Sequence, residues 1–113
     1  MITIWHNPRC SKSRQTLALL QENGHAPTIR LYLEDAPNEA EIRDTLAKLN
    51  LPAIKLTRTN EAEFKAAGLS KSSKEPDLIA AMASNPKLIE RPIVFANNRA
   101  AIGRPPEAVL DIL

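Results

Sequence analysis

Between Ile2 and Leu33 the chain reads as strand, helix and strand, and no other feature limits its possible folds so strongly. Ile2 and Ile4 alternate with Thr3 and Trp5 as in a short strand, and Asn7-Pro8 then supplies a turn. A helix follows. Leu17, Ala18, Leu19 and Leu20 give it a buried side, Ser11 and Ser13 are hydroxyl residues at its start, and Asn23-Gly24 is a C-cap signal. The stretch "PTIRLYL" returns to period two and predicts a second strand with Ile29, Leu31 and Leu33 on one face. Such a unit favours parallel strands joined by a right-handed crossover. Residue 10 then sits above the carboxyl end of the first strand.

The rest of the chain extends this start into a mixed sheet. Asn38 with Glu41 resembles a capping box, and Ile42, Thr45, Leu46 and Leu49 keep helical spacing until Pro52. From about 52 to 89 the pattern is a helical insertion: "NEAEFKAAG" predicts a helix from an Asn60 cap to Gly68, and Leu78, Ile79 and Met82 line another before Asn85-Pro86. "PIVF", Asn97-Asn98 and "RAAI" predict a hairpin, because two asparagines tolerate the positive φ of a tight turn. Pro105 and Pro106 then start a last helix with Val109, Leu110 and Leu113 on its inner face. The expectation is one α/β domain over 1–113, with a four-stranded mixed sheet flanked by helices in the thioredoxin-like manner.

Charge and cysteine usage narrow the function. Fifteen Lys and Arg stand against thirteen Asp and Glu with the signs interspersed, whereas a nucleic-acid binder concentrates its cations in a patch. A single cysteine excludes an intramolecular disulfide and thiol-rich zinc sites, which suits a reducing compartment. The first residues lack the pattern of a signal peptide, and no run approaches the roughly eighteen apolar residues of a membrane span. The expectation is a cytoplasmic protein, monomeric, that needs no metal and no nucleic acid.

That one cysteine lies in "HNPRCSKSR". A lone cysteine is usually a small buried hydrophobe, but Cys10 falls just ahead of a helix, where unpaired N–H groups favour an anion. With cations nearby, such placement lowers a thiol pKa from about 8.5 into the range of roughly 3.5–7.5. Arg9, Lys12 and Arg14 add local charge. His6 either donates to the thiolate or satisfies a loop carbonyl, and Ser11 and Ser13 serve a helix start or offer hydroxyls to an anion. Cys10-Ser11-Lys12-Ser13 is C-x-x-S, so any disulfide on Cys10 must be resolved by a thiol from another molecule. A phosphotyrosine phosphatase loop would require arginine at position 16, which is threonine. Arg58, Arg91 and Arg104 each adjoin a turn or an element end, and singly each is an ordinary surface residue. Arg91 precedes Pro92, where a thioredoxin-like sheet places a cis-proline beside the active thiol.

Taken together, "HNPRCSKSR", "LTRTNE", "ERPIV" and "IGRPPEAVLDIL" resemble the glutaredoxin-coupled arsenate reductase family, especially its shorter members, from Ile2 to Leu113. The resemblance implies that Cys10 attacks arsenate or a similar oxyanion. It implies that Arg58, Arg91 and Arg104 hold the oxyanion, that His6 helps to lower the thiol pKa, and that Ser13 lies near the thiolate; the Ser11 hydroxyl at the helix start is itself a further candidate substrate contact. It also implies glutathione as co-substrate, glutaredoxin as protein partner and no tightly bound cofactor. Cations are required for such an attack, because two unit charges at 4 Å repel by about 4 kcal/mol at an effective dielectric near 20. Two other readings need fewer of these residues. One is a monothiol glutathione-dependent oxidoreductase acting on another oxyanion or a mixed disulfide. The other is a non-catalytic thioredoxin-fold regulator binding RNA polymerase.

Overall fold

Asn97 and Asn98 adopt φ of 54° and 61°, the left-handed conformation that a tight two-residue hairpin turn requires. They join β3 (Ile93–Ala96) to β4 (Arg99–Ile102) in antiparallel register, Val94 opposite Ala101. This computed structural model describes residues 1–113, the whole chain. β1 (Thr3–Trp5), α1 (Ser11–Glu22) and β2 (Thr28–Arg30) form the crossover unit, with β1 and β2 parallel and Ile4 opposite Ile29. β1 also pairs antiparallel with β3, giving one mixed sheet of order β2-β1-β3-β4. This is the α/β, thioredoxin-like arrangement that the sequence predicts.

Met1–Asp35 and Arg91–Leu113 make one compact unit around this sheet. Its core joins Ile4 of β1, Leu20 of α1, Val94 and Ala96 of β3, and Val109 and Ile112 of the C-terminal segment. Trp5 packs against Phe95 with ring centroids 5.0 Å apart, and the Arg30 guanidinium lies 5.3 Å from the Trp5 ring centroid. An aromatic pair and a cation over a ring each add to simple burial.

Two apolar patterns in this unit depart from expectation. The last segment, Pro106–Ile112, is a 3₁₀ helix and buries Pro106, Val109 and Ile112. Three residues per turn put positions 106, 109 and 112 in one line; the 3.6-residue period selects Leu110 and Leu113, which are exposed. The second strand stops at Arg30 rather than running on to Leu33. Glu34 N–H and Asp35 N–H both donate to Leu31 O, at 3.0 and 2.9 Å, and this turn replaces the ladder. Tyr32 is buried while Ile29, Leu31 and Leu33 are exposed, the reverse of the expected face.

Ala36–Glu90 form the second compact unit, which carries the expected helical segment together with α2. α2 (Glu39–Leu49) starts with the anticipated capping box: Glu41 N–H donates to Asn38 Oδ1 at 2.8 Å and Asn38 N–H to Glu41 Oε1 at 3.1 Å. α3 (Ala53–Leu56) is stopped at its start by Glu75, whose Oε1 accepts from Ala53 N–H at 2.6 Å. α4 spans only Ala62–Ala66, with Asn60 outside it and Glu61 at the N-cap. α5 (Glu75–Ser84) buries Leu78, Ile79 and Met82 and is followed by a 3₁₀ turn over Pro86–Leu88. No helix of the chain is long and apolar enough to cross a membrane.

Ile4 is fully buried at the centre of the sheet. Ile4→Ala is expected to lower the unfolding free energy by about 2–5 kcal/mol, measured by urea denaturation; a loss under about 1 kcal/mol would show that the cavity closes around it.

Candidate active site

The loop from β1 to α1 is built by local hydrogen bonds before any cation approaches it. His6 N–H extends the parallel ladder by donating to Arg30 O at 2.9 Å, and the chain then turns. Arg9 N–H donates to Asn7 Oδ1 and Cys10 N–H to Asn7 O, both at 3.0 Å, an asparagine-led turn that places Cys10 at the N-cap of α1. Ser13 Oγ lies 2.6 Å from His6 Nδ1 and accepts from Asn7 N–H at 3.0 Å. Arg14 Nη1 donates to Pro8 O at 2.9 Å. Ser13 is fully buried, so its hydroxyl fastens the loop from beneath.

Two arginine-bearing turns of the same unit meet this thiol. Arg104 Nη2 donates to Cys10 Sγ at 3.6 Å, and Arg104 Nε donates to the Arg91 carbonyl at 2.8 Å. The Arg91 guanidinium also favours the ionised form of the sulfur. Both turns contain cis X-Pro bonds, Arg91-Pro92 as expected and Arg104-Pro105 in addition. They are clipped together by Gly103 N–H, which donates to Pro92 O at 3.0 Å. No side chain fits at Gly103: a Cβ there would fall 2.8 Å from Pro92 Cγ and collide with Thr16 Oγ1 of α1.

The thiol's acidity follows from this setting. Burial pushes the Cys10 pKa up, but the Ser13 amide, the hydrogen bond and charge of Arg91 and the Lys12 amide outweigh it, and the net shift is downward. No cap hydrogen bond ties the side chain to the helix start in the structure; the amides act by favouring the ionised form. His6 is held below its ordinary value by burial first and by the Arg14 charge second. It is therefore neutral at neutral pH and adds no positive charge beside the sulfur. No three His, Cys, Asp or Glu side chains gather as a metal-binding group.

The structure thus brings together Cys10, Arg91 and Arg104, with His6 and Ser13 forming the support of the loop. Ser11 is exposed on the first turn of α1. Arg58 belongs to the second unit, where its guanidinium is ion-paired by Nη1 to Glu61 and by Nε to Glu90 at 3.9 Å. Its backbone is fixed by Arg58 N–H donating to Leu88 O at 2.7 Å, beside the bridge of Thr57 to Ile89. No sequence pattern marks Thr16 as part of the site. Only the position of Gly103, directly before Arg104-Pro105-Pro106, offered a signal.

Two measurements test the site. Cys10 is expected to titrate below about 8.5 by ultraviolet thiolate absorbance, and Arg91→Ala to move its midpoint upward; a wild-type midpoint at or above free cysteine would contradict the geometry. The unfolded thiol keeps its proton to higher pH, so folded stability rises with pH from the lowered Cys10 pKa towards that of free cysteine, and falls again on acidification through it. Cys10→Ser should abolish that rise. Gly103→Ala should cost about 1–3 kcal/mol in urea unfolding by overpacking and also disturb the thiol titration.

Comparisons with known proteins agree with this arrangement. The model of the ArsC family matches residues 5–112. The chain is 54% identical over 114 residues to the uncharacterized protein YfgD of Escherichia coli K12, covering 99% of this chain and 96% of that protein. It is 43% identical over 114 residues to an arsenate reductase of Neisseria meningitidis, covering 99% and 97%. The solved arsenate reductase of Vibrio cholerae superposes with a TM-score of 0.95 at 46% identity, covering 99% of this chain and 97% of that one. A lone thiol at a helix start, faced by two arginines on neighbouring cis-proline turns, is therefore set in a chain that belongs to the ArsC family.

Proposed function

We propose that the protein is an arsenate reductase that draws its electrons from glutathione and glutaredoxin in the cytoplasm. The observation that carries this reading is the Arg104 Nη2 contact to Cys10 Sγ at 3.6 Å, with Arg91 favouring the same thiolate. A guanidinium remains charged at every relevant pH and can bind two oxygens at once. The two that stabilise the thiolate can therefore also receive a tetrahedral oxyanion. Arg58, which lies in the matching motif LTRTNE, is proposed as a further oxyanion ligand. The relatives named as arsenate reductases support the choice of substrate.

The reaction balances with one enzyme thiol. Cys10 attacks arsenic(V), the S–As bond forms, and an oxygen of arsenate leaves as water after protonation. Glutathione displaces a second oxygen and forms its own S–As bond. The glutaredoxin thiolate then attacks the glutathione sulfur; the new S–S bond releases an electron pair to arsenic, leaving Cys10 bonded to a dihydroxy arsenic(III), and water displaces Cys10 from it, freeing arsenite and regenerating the thiolate. In sum, arsenate and two thiols give arsenite, one disulfide and water. Arg91 and Arg104 stabilise the charge on oxygen as the first S–As bond forms.

In an assay coupling arsenate to NADPH oxidation through glutathione, glutaredoxin and glutathione reductase, the wild type is expected to turn over and Cys10→Ser to give none. Arg91→Ala should lower kcat by about 100-fold, the scale for removing one oxyanion donor. Turnover by Cys10→Ser would refute the mechanism. Glutathionylation of Cys10 without arsenate turnover would instead favour reduction of another oxyanion or a mixed disulfide.

A further inference from the structure

The turn after β2 leaves two leucines that the core does not take. Leu31 and Leu33 are 38% and 42% exposed, although buried Tyr32 lies between them. With Pro8, Arg9, Glu34 and His6 they line a cleft of about 360 Å³, within the range of roughly 300–1,000 Å³ typical of small-molecule sites. Opposite charges share this cleft without meeting: neither the Arg9 guanidinium nor the Glu34 carboxylate takes an ion pair or side-chain hydrogen bond within the protein. Apolar walls carrying one unpaired cation and one unpaired anion complement a small zwitterion with an apolar middle.

Position adds to this charge argument. The cleft is bounded by the residues that immediately precede Cys10 in the loop. Successive Cα atoms are about 3.8 Å apart, so the lining of the cleft extends to the residue next to the nucleophile. Leu31 and Leu33 approach the same loop because β1 and β2 are parallel, which brings the chain beyond both strands to the same sheet edge.

We propose that this cleft binds the peptide thiol, in the class of glutathione, that serves Cys10. A carboxylate of the peptide sits on Arg9, its terminal ammonium on Glu34, and its cysteinyl and backbone carbons on Leu31 and Leu33. The assignment rests on the reading above that a second, small thiol must reach Cys10. It adds where that thiol is held and which residues select it.

The test uses full-length Cys10→Ser protein and S-methylglutathione, which cannot react, in an amide proton–nitrogen NMR titration without arsenate. Saturable shifts are expected at residues 6, 7, 9 and 31–34. Glu34→Gln should weaken binding of S-methylglutathione about three- to fivefold, the scale of one exposed ion pair, and leave binding of its analogue lacking the ammonium unchanged. Arg9→Gln should weaken both. No saturable shift, shifts centred on Arg91 and Gly103, a Glu34→Gln effect equal for the two compounds, or response of the cleft to glutaredoxin alone would each overturn the proposal. Binding here without arsenate turnover in the coupled assay would retire the arsenate reading alone, whereas turnover without binding here would retire the cleft alone.

Discussion

Gly103 packs against Thr16 of α1 and Pro92 of the preceding turn so closely that a methyl group there has no room, and the position of the charged groups follows from that contact. Its N–H holds the Pro92 carbonyl, and the next residue, Arg104, returns a side-chain hydrogen bond to the Arg91 carbonyl. Two strand-end turns thus become one piece, pressed onto the helix whose first residue follows Cys10. Buried contacts of this kind transmit displacement because interiors are packed as densely as crystals. A shift of a few tenths of an ångström at Thr16 is therefore felt at the guanidiniums. The acidity of the sulfur is in this sense a packing property as much as an electrostatic one.

The chain uses its arginines in two contrasting ways. Arg58 stands between Glu61 and Glu90, and its charge is largely compensated within its own unit. Arg104 instead directs a donor to the Cys10 sulfur, and Arg91 favours that sulfur's ionised form. His6 completes the contrast by staying neutral while it orders the loop through Ser13. Charge is concentrated on the side where the anion must be made, and the imidazole contributes geometry.

What could be read in advance was local. The Asn38 capping box, the Asn97-Asn98 turn and the placement of Cys10 before α1 each depend on a few neighbouring residues, and each occurs as the sequence implies. The misread elements depend on distant partners. Ile29, Leu31 and Leu33 alternate like a buried face, yet the turn closed at Leu31 and the stacking of Arg30 on Trp5 leave them outside. In the last segment, helical spacing selected Leu110 and Leu113, because a sequence does not announce the tighter 3₁₀ winding that aligns Val109 with Ile112. For the site, charge and motif identified the arginines, but not that Gly103 would hold two of them together. A close backbone approach leaves no mark in composition beyond the glycine itself.

The aromatic residues have a consequence for observing this molecule. Its only tryptophan and only tyrosine, Trp5 and Tyr32, both belong to the unit that contains Cys10, and residues 36–90 contain neither. Intrinsic tryptophan emission therefore originates outside the helical unit, from an indole one residue away from His6, roofed by the Arg30 cation. Light from this protein reports, without any introduced label, on the half of the chain where its sulfur resides.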